Sequence, residues 1–509
     1  MKKIFVAALA LAPLFAQESP LPRVVNKDGR YALFVDGAPF LMLGAQVHNS
    51  SAWPAMLPKV WSAMKELSVN TVEIPIYWEQ FEPGPGQYDF TVMDTLLREA
   101  RQHQLRLVLL WFGTWKNGSQ HYMPQWMKLQ PEKYPRIADR KGRAVDSPSP
   151  YAAATLEADK KAFSALMRHL KETDPRRTVI MVQVENEAGT WGAVRDYSPA
   201  AEKLFEAPVP REVLDAMGVK AAGNWTQAFG AEAEACFHAW SVARYVGQVA
   251  AEGKKIYPLP LYANAALRDP LKPGAPGSYE SGGPTDNVLA IWKAEAPALD
   301  VLSPDIYLDN PAAYLKVLEL YRRGDNPLFV PETGGAPNAR FLFSALGLGA
   351  IGFAPFGMDG NEPAANEPWA MNNRLLLPMQ REIARLNFEG KLKAVAEEKG
   401  KLTQTLPFAQ WNAVVSYGVT LNHAPLGNPQ PVGRALVAQT KDNEFLVTGY
   451  FSRVDFNTPG KQRQFLAVEE GSFEQGVFKF RRIWNGDETD WGLNFGAEPA
   501  VLRVTLGTY

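Results

Sequence analysis

The residues Gln183-Val184-Glu185-Asn186-Glu187 close the apolar run Thr178-Val179-Ile180-Met181-Val182, and a further carboxylate closes Pro327-Leu328-Phe329-Val330-Pro331-Glu332. Apolar runs of this kind suit strands buried on both faces of a parallel sheet, and the C-terminal ends of such strands carry the chemistry in barrel enzymes. Two carboxyls at two strand ends are what a retaining glycoside hydrolase needs. One protonates the departing oxygen while the other, roughly 5 Å away, attacks the anomeric carbon. Glu187 and Glu332 are the expected pair, with Glu187, nearest the loop, as the acid. Glu185 lies two residues deeper, on what strand alternation makes the same face. It is expected to be structural, paired with a buried cation or hydrogen-bonded to neighbours, because a buried carboxylate without a partner is costly; a dual role stays open. The plainer alternative is that Asn186-Glu187 caps a following helix and that Glu332 is a strand-end Glu without chemistry.

Aromatic residues recur at the same strand ends: Tyr77-Trp78, Trp111, Trp115, Tyr307, Phe356 and, just beyond, Trp369. Sugar rings offer apolar C–H faces that stack on such rings, and hydroxyls that need amide, ammonium or carboxylate partners. Gln46, Trp111, Trp115, Lys116 and Asn117 are therefore candidate sugar contacts, with core packing as the competing role for each Trp. Tyr307 is expected to donate a hydrogen bond to the attacking carboxylate and orient it. His48, a lone histidine at a strand end, is assigned a structural place.

The elements that must position these groups can be read from periodicity. Eight short apolar runs alternate with amphipathic stretches: 40–44, 71–76, 105–112, 178–185, 259–263, 301–307, 328–332 and 350–356. Helical spacing marks 58–67, 90–103, 158–172, 231–252 and 373–386. Eight strand-and-helix units predict a (β/α)8 TIM barrel within the α/β class; an open doubly wound sheet competes, but no glycine-rich phosphate turn follows the first run. Residues 264–287 form a long Gly- and Pro-rich loop on the functional face. After about residue 395 the texture becomes β-branched and aromatic runs broken by turns, predicting a C-terminal antiparallel β-sandwich-like domain. The expected division is a leader over 1–16, a barrel over 17–395 and a β domain over 396–509.

The chain of 509 residues has 53 basic and 54 acidic side chains, and this balance argues against a nucleic-acid partner. Met1-Lys2-Lys3, the apolar run Ile4–Phe15 and Ala16-Gln17 have the charged, apolar and small regions of a secretory signal, so export to the periplasm or outside the cell is expected. No segment approaches the ~20 apolar residues of a membrane span. The single Cys236 excludes an intramolecular disulfide. No metal or cofactor motif is present, so none is expected, and a homo-oligomer stays open.

The Gln183–Glu187 strand, Asn70-Thr71-Val72-Glu73 with Trp78, the segment Glu82–Phe90 and Val35-Asp36-Gly37-Ala38-Pro39-Phe40 together resemble glycoside hydrolase family 35. The C-terminal Glu469-Glu470-Gly471 and Arg482–Thr489 resemble a β domain found in a bacterial subgroup of that family. The resemblance implies a retaining β-galactosidase in which Glu187 is acid/base, Glu332 nucleophile, and Asn186 a contact to the sugar 2-hydroxyl. Two segments depart from the family pattern. Gly113-Thr114-Trp115-Lys116-Asn117 stands where a Cys-Ala-Glu-Trp-like segment is usual, and Pro331-Glu332-Thr333 where Ser-Glu-Phe is usual. The expectation is an exo-acting β-galactosidase. The alternatives are a β-glucosidase, β-mannosidase or endo-glycanase of the same superfamily, or a carbohydrate-binding protein without catalysis.

Overall fold

A computed structural model describes residues 19–220, 223–419 and 423–509; the expected leader lies outside them. An antiparallel sheet of Arg23–Lys27, Arg30–Val35 and Ala38–Phe40 comes first. Its two turns are Asp28-Gly29 and Asp36-Gly37, both with positive φ at both residues, the geometry that two-residue hairpins require. The sheet takes up Phe40, so the first barrel strand begins two residues later than the apolar run suggests.

The barrel strands are β1 (Met42–Gln46), β2 (Thr71–Tyr77), β3 (Arg106–Lys116), β4 (Val179–Asn186), β5 (Leu261–Ala266), β6 (Val301–Ile306), β7 (Phe329–Val330 and Glu332–Thr333) and β8 (Gly352–Phe353). All their pairings are parallel. Pro331, with no N–H to give, divides β7: Phe329–Val330 pair with β8 and Glu332–Thr333 with β6. The sheet thereby closes on itself, as the eight-unit rhythm predicts.

The outer layer includes α1 (Leu57–Glu66), α2 (Thr91–Gln102), α3 (Ala153–Thr173) and α4 (Ala233–Ile256). In α2 the buried side chains Val92, Met93, Leu96, Leu97 and Ala100 follow the three- and four-residue spacing that turns one face to the barrel. Helix α4 is buried on most sides, and at Gly253 the Phe163 ring of α3 comes within 2.2 Å of where a Cβ would stand. The helix expected over 373–386 is two helices, Pro363–Leu376 and Gln380–Phe388, because Pro378 cannot continue the first.

Among the described residues, ten strands after residue 391 form two antiparallel sheets. One runs Leu392–Ala396, Arg434–Lys441, Glu444–Tyr450, Val501–Thr508, Arg463–Glu474, Val477–Ile483; the other Thr403–Pro407, Asn412–Tyr417, Ser452–Asn457, Leu493–Phe495. Trp411, Tyr417, Phe445, Phe456 and Val504 belong to the core between them. The outer face of the larger sheet, through Leu436, Ala438, Leu446 and Tyr450, joins the same apolar core as the barrel helices. Arg434 Nε donates to Asn372 Oδ1 (2.8 Å) and Tyr450 O–H to Met371 O (2.8 Å) across this contact. Among the described residues no helix is long and apolar enough to cross a membrane.

Candidate active site

Strand β4 leaves regular geometry where its carboxylates begin. Glu185 has φ +63° and Glu187 φ +44°, a left-handed conformation that costs a non-glycine residue on the order of 1–3 kcal/mol and is concentrated at functional sites. The opposite strand is irregular too: Trp111 pairs with Val184 and Lys116 with Asn186, so four residues of β3 bulge across from one of β4. These departures break the alternation that would put Glu185 and Glu187 on one face. Glu185 turns outward to α3, while Glu187 turns into the barrel mouth.

The partner of Glu185 is a carboxyl, not a cation. Its Oε2 accepts the Trp115 N–H (2.7 Å), and its carboxyl faces Asp159, which accepts from Trp111 Nε1 (2.9 Å) and Thr114 Oγ1 (2.6 Å). Both carboxyls are fully buried and pushed upward by that burial, Glu185 further by the charge of Asp159. Gly113 lies against this network. A Cβ there would meet Trp111 Nε1 at 2.4 Å and Glu185 Oε1 at 2.8 Å, which explains the small residue in the first departure from the family pattern.

In the barrel mouth, oxygens of Glu187, Asp305 and Glu332 all lie within 4.8 Å of one another. Glu332 is buried, and each of its oxygens accepts one hydrogen bond: Oε2 from Gln46 Nε2 (2.9 Å) and Oε1 from the Tyr307 hydroxyl (2.6 Å). Asn264 ties strands β4, β5 and β6 together, accepting the Glu187 N–H (3.0 Å) and donating to Asp305 Oδ2 (2.5 Å). Burial, and then the charge of Glu332, raise the Glu187 carboxyl from 4.5 to about 7. Asp305 is pushed well upward by burial and by both glutamates. A carboxyl protonated near neutrality thus sits beside an oriented carboxylate, with too little space between them for a separate water.

Lys116 is buried, with its ammonium donating to Asn117 Oδ1 and lying 5.2 Å from the Phe112 ring centre. Its positive charge draws Glu187 and Asp305 downward and so partly offsets the carboxylates. Asn117 is exposed on the rim. The Asn186 side chain is fully buried between the two strained glutamates, and neither of its amide atoms has a partner. A buried amide left open in this way is expected where a ligand hydroxyl supplies the missing bonds.

The structure thus brings Glu187, Glu332, Gln46, Tyr307, Asn186 and Lys116 together, with Asn117 at the edge. It does not bring in Trp111 or Trp115. Trp111 is fully buried and points to Asp159 on α3 among Trp78, Phe81 and Phe163; Trp115, also fully buried, points to Ser147 and stands edge-on to Tyr245. Both lie on the helix-facing side of β3, so they are core residues and not sugar contacts. Trp369 is likewise buried and packs against Phe353.

Two acidic residues of the site were missed. Asp305 carries the signal used for Glu187, a lone carboxylate closing an apolar run, in Val301-Leu302-Ser303-Pro304-Asp305. Glu280 has no such signal: it comes from the long loop after β5, and its burial and then the charge of Glu187 drive its carboxyl well upward against the smaller downward pull of Lys116.

Residues 32–245 match the family described as Glycosyl hydrolases family 35, and residues 370–496 a domain of unknown function (DUF5597). A beta-galactosidase of Xanthomonas manihotis is 27% identical over 199 residues, 37% of this chain and 30% of that protein. Beta-galactosidase 7 of Oryza sativa subsp. japonica is 28% identical over 130 residues, 24% of this chain and 16% of that protein. The match therefore spans less than a third of either relative. Among solved structures, the beta-galactosidase of the psychrophilic Marinomonas ef1 superposes with a TM-score of 0.50 at 13% identity, covering 68% of this chain and 61% of that one, a likeness of fold.

Proposed function

Since the chain belongs, through residues 32–245, to glycosyl hydrolases family 35 and carries an additional C-terminal β domain, we propose that it is a retaining, exo-acting β-galactosidase. Glu332 attacks the anomeric carbon as Glu187 gives its proton to the departing oxygen; Glu187 then takes a proton from water, which releases the sugar with its configuration retained. The observation that carries this reading is the spacing of the carboxyl oxygens of Glu187 and Glu332, within 4.8 Å. Retaining enzymes hold their carboxyls about 5–5.5 Å apart, and inverting ones ~6.5–9.5 Å.

The environment of each carboxyl supports its role. Glu187 rises to about 7, so it can hold a proton to donate. Glu332 is gripped by Gln46 and Tyr307, which fix its attacking oxygen. Once the glycosyl–enzyme bond forms, the charge of Glu332 disappears, the Glu187 carboxyl falls, and the residue becomes the base that the second half needs. Asn186, with both amide atoms open, is the group to bind the hydroxyl next to the reacting carbon. Export of the mature enzyme is part of the proposal, on the strength of the N-terminal pattern alone.

Product stereochemistry tests the assignment. With an activated aryl β-galactoside and azide, Glu332→Ala should yield the inverted α-galactosyl azide and Glu187→Ala the retained β-galactosyl azide. The opposite pairing would exchange the roles. Strong turnover of an aryl β-glucoside or β-mannoside with none of the galactoside would keep the mechanism and discard the sugar.

A further inference from the structure

Resting on that reading, we propose that Trp191 is the platform on which the leaving portion of the substrate stacks, so that the natural aglycone is itself a sugar ring. Trp191 follows Glu187 by four residues and is 50% exposed, although an indole gains most when it is covered. Its exposure is built into the loop. Thr190 exchanges both backbone hydrogen bonds with Ser281 (2.8 and 3.1 Å), which clamps the chain one residue before the ring. Gly192, at φ +84°, turns it sharply one residue after.

The position of the ring is equally constrained. A Cβ on Gly118 would stand 3.2 Å from Trp191 Cδ1 and 2.6 Å from Glu280 Oε1, so the indole edge and the buried carboxyl both rest on that glycine. The Gly118 N–H in turn donates to the Glu187 carbonyl (3.0 Å). Gly189 is held too, since a Cβ there would meet Ser281 O at 2.6 Å. Trp191 is therefore presented from a close-packed base beside Glu187.

That side of the site is where the leaving group must lie, because Glu187 protonates the oxygen that joins it to the galactose. A flat indole there offers its π face to the C–H face of a pyranose, a contact that a methyl or other small aglycone cannot make. Trp191 would then act on aglycone selection, with the glycone left to Gln46, Asn186 and the carboxylates.

The test compares a β-galactosyl disaccharide with methyl β-galactoside on the full chain, for wild type, Trp191→Ala and Trp191→Tyr. In Trp191→Ala, kcat/KM for the disaccharide should fall about tenfold further than for the methyl glycoside, mainly through KM, and Trp191→Tyr should recover most of the difference. Equal losses on both substrates, or no loss on the disaccharide, would overturn the proposal. If wild type cleaves neither galactoside, the galactose reading fails. The same ratio measured on a disaccharide and a methyl glycoside of the sugar it does cleave then decides the platform separately.

Discussion

Neutralising Glu332 should lower the pKa of Glu187, and the size of the drop can be worked from the site. Burial, the larger cause, and the charge of Glu332 together lift Glu187 from 4.5 to about 7, roughly 2.5 pH units. At the outer limit of 4.8 Å, two unit charges repel by about 3.5 kcal/mol at an effective dielectric constant of ~20, and by about 0.9 kcal/mol in bulk water. The first value alone would account for the entire rise and leave nothing for burial, so the contribution of Glu332 lies between, on the order of one unit. Glu332→Gln should therefore move Glu187 from about 7 to roughly 6, with burial holding it above an ordinary glutamate. The assay is the carboxyl carbon-13 resonance of Glu187 followed against pH in both proteins, alongside the wild-type profile of kcat/KM. The acid must be protonated in the free enzyme, so wild-type activity should decline as pH rises through about 7. Because Asp305 interacts with both glutamates, the limb belongs to the group, and the comparison between variants is more telling than either midpoint. A Glu187 titration that stays put or moves upward in Glu332→Gln would refute the electrostatic account of the site.

Removing the Tyr307 hydroxyl with Tyr307→Phe takes away a hydrogen bond to a charged group, worth about 1.5–3 kcal/mol, so kcat should fall roughly ten- to a hundredfold in steady-state assays with little change in Tm. Trp111→Phe should do the reverse, costing about 1–3 kcal/mol in denaturant unfolding through the Asp159 Oδ1 left without its donor and the lost volume, while the KM for the galactoside moves little. Glu185→Gln keeps an acceptor for the Trp115 N–H and can donate to Asp159, so it should fold well, whereas Glu185→Ala should lose about 2–3 kcal/mol in the same measurement. The carboxyl of Glu185 is raised by folding, so it costs stability once pH exceeds the unfolded value; wild type should lose stability as pH rises from 5 to 9 more steeply than Glu185→Gln.

The barrel was legible because buried parallel strands leave uninterrupted apolar runs, and the two glutamates proposed to react because each closes such a run. Side-chain direction near the ends was not. Alternation put Glu185 with Glu187 and left Trp111 and Trp115 free to face a sugar. The left-handed backbone at Glu185 and Glu187, which no glycine announces, and the bulge between Trp111 and Lys116, where Gly113 is the one local sign, redirect all four. Asp305 obeys the rule that found Glu187 and could have been read in the same way. Glu280 and Trp191 depend on a loop whose course is set by the Thr190–Ser281 pairing, a contact between residues 91 positions apart with no periodic trace in the chain. The N-terminal hairpins, which the strand count left out, turn on two Asp-Gly pairs that carry a local signal rather than a periodic one.

The C-terminal sheet gives Leu436, Ala438, Leu446 and Tyr450 to the apolar core that the barrel helices occupy. The topological boundary near residue 395 therefore does not coincide with a boundary of cooperativity. Cutting the chain there would strip the outer helices of a wall and bring the apolar side chains it covers to water or to other chains. The β domain is thus a partner in the melting of the barrel, and a catalytic fragment without it would be an aggregation hazard before it was an enzyme.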